Sequence, residues 1–102
     1  MSDEKILRLL KRSESEGFAL LVRRYSAYVK TVVRSRLGAV DPVAVDETVN
    51  GAFFEILKAL RQQEYSVRSL KALISIVTVR QASAALRERI NGAAVIPIDE
   101  QR

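Results

Sequence analysis

The sequence predicts an all-α fold, a compact bundle of about four helices, and three observations carry that prediction. Apolar residues recur at spacings of three and four along most of the chain, the rhythm of helices buried on one face. The single strand-like run, Leu73 to Val79, has no second strand to pair with, so its backbone hydrogen bonds would have no destination as a strand. Finally, 102 residues with 48% hydrophobic and 28% charged side chains suit one packed domain rather than a disordered tail. The mean hydropathy of +0.01 agrees with this.

A short first helix is expected from about Asp3 to Lys11, where Ile6, Leu7, Leu9 and Leu10 supply the apolar face and Asp3 with Glu4 suits the positive end. The clearest helix runs from Ser15 to Leu37. Phe18, Leu21, Val22, Tyr25, Val29, Val32 and Val33 form its stripe, Ser13 or Ser15 caps its start, and Gly38 stands where a left-handed terminal residue is wanted. Ala39 to Pro42 reads as a connector with Asp41 as N-cap and Pro42 at the first position of a third helix. That helix follows Val49, Phe53, Ile56, Leu57 and Leu60 to Arg61 or Gln62. Gly51 lies inside it at a cost of about 1 kcal/mol relative to Ala, and is expected to mark a close approach to the backbone. Gln62 to Ser66 is polar and reads as a loop.

For the last element, Leu70, Leu73, Ile74 and Val77, then Ala84, Ala85 and Leu86, keep helical spacing well past strand length. A fourth helix is therefore expected from Ser69, its cap, to Arg89, with Asn91-Gly92 as the stop. Residues 1–90 then form the helical domain, and 91–102 an extended linker toward an absent second domain.

The chain contains no Cys, His or Trp, which removes disulfides, Cys/His zinc sites, thiol nucleophiles and imidazole bases. Asp46 and Glu47 are adjacent and point about a third of a turn apart, so they do not make a facing carboxylate pair. Four scattered glycines make no phosphate loop. The chain is therefore expected not to be an enzyme and to need no cofactor or metal. The N-terminus lacks a signal-like apolar region, and no apolar run approaches the roughly 20 residues of a membrane span, so a cytoplasmic protein without membrane contact is expected.

Seventeen Lys and Arg against twelve Asp and Glu give a formal charge of +5, which favours a polyanionic partner. The charges are segregated. Arg23, Arg24, Lys30, Arg34 and Arg36 lie on the second helix with no acid among them. Asp41, Asp46 and Glu47 open the third, and Arg68, Lys71, Arg80, Arg87 and Arg89 belong to the fourth and its approach. Taken alone, such charges solvate helix surfaces and satisfy helix dipoles. Tyr65, in a polar loop followed by Arg68 and Lys71, is either a cover for the edge of the core or an aromatic face for an unpaired base.

The order of these segments resembles region 2 of the extracytoplasmic-function sigma factors, promoter-recognition subunits of bacterial RNA polymerase. The resemblance spans about Asp3 to Arg89 and is a global pattern more than a sharp motif. It begins with Asp3-Glu4-Lys5-Ile6-Leu7 and with Phe18, Leu21 and Tyr25 in a Phe-x-x-Leu-x-x-x-Tyr stripe. The segment from Asp41-Pro42 through Asp46-Glu47-Thr48-Val49-Asn50 to Leu60 is similar to the helix that docks on the coiled coil of the polymerase's largest subunit. Ser69 to Arg89 is similar to the promoter-facing helix, and Ile96-Pro97-Ile98-Asp99-Glu100 to the start of the interdomain linker.

The resemblance implies that Asp46, Glu47, Asn50, Phe54 and Leu57 contact the polymerase core. It also implies that Tyr65 and Arg68 border a pocket for a flipped base of the minus-ten promoter element, with Lys71, Arg80, Arg87 and Arg89 along the single-stranded non-template DNA. The chain departs from the family in having Asn50-Gly51 where Gln and an acid are usual, Leu70 and Leu73 where aromatics are usual, and Arg80 in place of Asn. A second reading is therefore a sigma-like interaction module that binds an anti-sigma-type regulator without DNA. A third, an unrelated helix-turn-helix protein, is disfavoured because the helix after the Gly38 to Pro42 connector starts acidic rather than basic.

Overall fold

The structure, a computed structural model, describes residues 2–100, with side chains described as far as residue 91. It is all-α, and no strand occurs among the described residues. Helix α1 is Asp3–Arg12, α2 is Glu14–Leu37, α3 is Val45–Gln62 and α4 is Val67–Glu100, with a 3-10 turn at Pro42–Ala44 leading into α3.

Serines set the early boundaries. Ser2 caps α1 by accepting from the Lys5 amide, and Ser13 both ends α1 and caps α2, its Oγ accepting from the Glu16 amide. One residue therefore reverses the chain, and α1 folds back antiparallel on α2. Gly17 lets the two helices close: a Cβ there would lie 2.6 Å from the Leu10 backbone nitrogen. Further along the pair, the carboxylate of Asp3 is buried, in charge contact with Arg24 Nε at 2.7 Å and accepting from the Tyr25 hydroxyl.

Helix α3 runs antiparallel to α2, as Glu14 facing Arg61 and Lys30 facing Asp46 at opposite ends require. Helix α4 lies beside α2 in the same direction, since Tyr28 meets Ser75 and Asp41, just beyond α2, meets Arg89. Leu21, Val29, Val33 and Leu37 of α2 interlock with Val45, Ala52, Phe53 and Ile56 of α3 and with Leu70, Ile74, Val77 and Ala82 of α4. Ile6 closes the α1 side. The Phe18 and Phe53 rings meet edge to face, with centroids 6.3 Å apart. Buried Thr78 satisfies its hydroxyl on the Ile74 carbonyl, so it fits this apolar layer without an orphaned group.

Four expectations need correction. Gly38 is right-handed (φ −60°, ψ −35°), and the chain leaves α2 through hydrogen bonds from the Val40 and Asp41 amides to the Leu37 carbonyl instead. Gly51 marks no close approach, because a Cβ there would meet only Gln81 Oε1 at 3.6 Å. The cap of α4 is Ser66 rather than Ser69: Ser66 Oγ accepts from the Ser69 amide while Ser69 Oγ accepts from the Ser66 amide, a reciprocal capping box. Lastly, α4 does not stop at Asn91-Gly92, and residues 91–100 are helical rather than extended. No described glycine has the positive φ that a stop requires. Extending an existing helix costs far less than nucleating a new one, and Ala93-Ala94 is a strong helix-forming pair. Residues 101–102 of the expected linker lie outside the described residues.

Candidate nucleic-acid and protein interface

The outer face of α3 gathers the residues expected to meet a protein. Asp46, Asn50 and Phe54 follow one another at four-residue steps, Glu47 lies beside them, and all four are exposed. Asp46 makes a loose 3.5 Å contact with Lys30. Phe54 is 58% exposed, with Lys58 Nζ 5.5 Å from its ring centroid. This large unburied aromatic on a well-packed helix has no role in the core. Leu57 shares the stripe but is half-buried, and it lines a cleft toward α1 with Leu7 and Leu10.

A groove of about 400 Å³ opens between the second half of α3 and α4. Tyr65, Leu73 and Val77 give it an apolar surface, Lys58 and Arg80 bring positive charge, and Gln62, Gln63 and Gln81 bring amides. Among the described residues, Glu55 is its one acid and is 3.2 Å from Lys58 Nζ, so Arg80 is the groove cation left without an ion-pair partner. Arg87, two turns beyond Arg80, continues on the same side of α4.

The remaining cations divide. Ser75 faces α2 through its 2.7 Å hydrogen bond with the Tyr28 hydroxyl, and Lys71 and Arg68, one and two turns earlier, share that side. They are exposed but do not line the groove. Arg89 is engaged elsewhere: its Nε donates to Asp41 Oδ2 at 3.0 Å, and the Asp41 Oδ1 accepts from the Ala44 amide. Arg89 thus fastens α4 to the connector that precedes α3. The six residues expected along DNA therefore fall into three sets: Tyr65 with Arg80 and Arg87, Arg68 with Lys71, and Arg89 by itself.

Tyr65 also lines the cleft of about 630 Å³ between α1 and the end of α3, so it forms a wall between two hollows. Two ion pairs cross the rim of that cleft. Arg61 grips Glu14 with both Nε and Nη2, at 2.9 and 2.8 Å, and Lys11 meets Glu64 at 3.1 Å. The Arg61 fork holds the Glu14 carboxyl below its ordinary range. Sequence reasoning found Tyr65 and Arg80 but not Lys58, Glu55 or Gln81, whose only signal is that α3 and α4 must run antiparallel across a short loop. Among the described residues, no group of three or more acids is placed to hold a metal, and no helix is long and apolar enough to cross a membrane. Compared with known proteins, the chain matches no family model, no curated protein and no solved structure.

Proposed function

We propose that the chain is a sigma-factor region 2-like domain. In this reading it works in the cytoplasm without catalysis, binding RNA polymerase core through α3 and holding an unstacked base of the minus-ten non-template strand in the α3–α4 groove. The observation that carries the reading is the meeting of Tyr65 and Arg80 in one groove, an aromatic face beside a cation that has no ion-pair partner among the described residues. Stacking on an aromatic is worth about 1–3 kcal/mol per base, and a neighbouring guanidinium follows the phosphates, so such a groove offsets the few kcal/mol of taking a base out of its stack. Asp46, Glu47, Asn50 and Phe54 of α3 are exposed and do not line that groove, which suits a separate, basic protein surface.

The exposed ring of Phe54 favours one rival, a sigma-like module whose partner is an anti-sigma-type regulator and which leaves DNA alone. Fluorescence anisotropy separates the two. The first reading expects the purified domain to bind a single-stranded minus-ten oligonucleotide and polymerase core, and Tyr65→Ala to weaken the oligonucleotide about ten-fold. If neither the oligonucleotide nor the core binds while a regulator does, the rival replaces it.

A further inference from the structure

We infer that Arg61, with Glu14 and the Lys11–Glu64 pair, positions Tyr65 for its ligand. The inference rests on the reading of Tyr65 as a base-stacking residue. Tyr65 sits in the four-residue loop 63–66 that joins α3 to α4, and a stacking ring is useful only if its plane is held before the base arrives. The loop is restrained at both shoulders. On one side Glu64 is drawn to Lys11 at the end of α1. On the other, Ser66 is locked to Ser69 by the capping box. Behind the first shoulder, the last turn of α3 is fastened to the first residue of α2 by the two parallel bonds of the Arg61–Glu14 fork.

Isolated surface ion pairs contribute little, but a bidentate guanidinium–carboxylate pair fixes direction as well as distance. These straps join segments 47 and 53 residues apart (61 − 14 and 64 − 11), so their effect is on where the loop stands rather than on the stability of any one helix. The α1–α2 corner, which contributes no residue to the α3–α4 groove, thereby sets the geometry of the groove's aromatic wall.

The test uses the full chain labelled with 3-fluorotyrosine, whose three resonances are assigned by Tyr→Phe variants. Arg61→Gln is expected to move the Tyr65 resonance, leave those of Tyr25 and Tyr28 in place, and weaken minus-ten oligonucleotide binding about three- to five-fold. Helical content by circular dichroism should not change. Arg61→Lys, which keeps the charge but not the fork, should recover only part of the native resonance position and affinity. Should Arg61→Gln lose helical content, Lys11→Gln is read at the other strap and is expected to move the same resonance. An unmoved Tyr65 resonance in the folded variant, or equal effects of the Gln and Lys replacements, overturns the inference. Absence of oligonucleotide binding by the unmutated chain would instead remove the stacking role, with the resonance still deciding whether the straps set the loop.

Discussion

A Cβ on Gly17 would stand 2.6 Å from the Leu10 backbone nitrogen and 2.7 Å from its Cα, so glycine is what permits α1 to lie against α2. Backbone atoms cannot rotate away as a side chain can. Gly17→Ala should therefore push α1 outward and destabilise the fold by about 1–3 kcal/mol, lowering the melting temperature by several degrees. Gly51→Ala should do the reverse. Its Cβ has room beside Gln81, and removing a mid-helix glycine should add about 0.4–1 kcal/mol. Thermal melts followed by circular dichroism check both, and a Gly17→Ala protein melting like the unmutated chain would refute the tight crossing.

These two glycines show what the sequence made legible. Helix number, order and most apolar faces follow from spacing alone, because burial of a stripe is a local consequence of the 3.6-residue period: Leu21, Val29 and Val33, or Ile56, Leu70 and Ile74, are buried as expected. Close approach is not local. It depends on which helix crosses which and at what height, so Gly17 gave no signal and Gly51 gave a misleading one. The same holds for the charges. Asp3 reads as a helix-dipole acid, yet it is 4% exposed and binds Arg24 and Tyr25 across the helix hairpin. Arg89 reads as one more basic residue of a DNA-facing helix, yet it holds Asp41.

Tyr25 should ionise above the ordinary tyrosine range. Burial chiefly, and then the hydrogen bond its hydroxyl gives to the Asp3 carboxylate, raise its pKa above the ordinary tyrosine value. A group whose pKa is raised by folding contributes stability that is complete below the unfolded value, about 10, and is lost as pH climbs through the folded one. Spectrophotometric titration of tyrosinate should show one late phase that disappears in Tyr25→Phe. At neutral pH the same substitution should cost about 1–3 kcal/mol in denaturant unfolding, since it leaves a buried carboxylate oxygen without its donor. A late phase that persists in Tyr25→Phe would contradict this environment.

Arg80 and Arg89 should behave differently although both are helix-borne arginines expected on DNA. Arg80 lines the groove with no ion-pair partner among the described residues, so Arg80→Ala should leave the melting temperature nearly unchanged and reduce the salt dependence of oligonucleotide binding by about 0.7 in the log–log slope. Arg89 is tied to Asp41, so Arg89→Ala should cost about 1 kcal/mol of stability and leave the slope as it was. Isothermal binding at several salt concentrations, paired with melts, reads both. A slope change in Arg89→Ala equal to that in Arg80→Ala would mean that the Asp41 contact opens when DNA binds.

The α3 face gives the sharpest test of the protein-binding half of the proposal. Asp46 and Glu47 are exposed in the first turn of α3, and the only contact either makes among the described residues is the 3.5 Å approach of Lys30 to Asp46. Reversing both charges sets them against the positive end of α3, a cost of about 0.3–1 kcal/mol per residue, small beside the stability of a typical domain. The double variant Asp46→Arg, Glu47→Arg should therefore remain helical and fold cooperatively while losing measurable binding to polymerase core. Phe54→Ala should weaken the same interaction without loss of stability, because its ring contributes little to the core. Oligonucleotide binding should survive both changes, since neither alters a residue of the α3–α4 groove. Core binding that persists in the double variant would move the polymerase interface off α3 and leave the exposed phenylalanine to another partner.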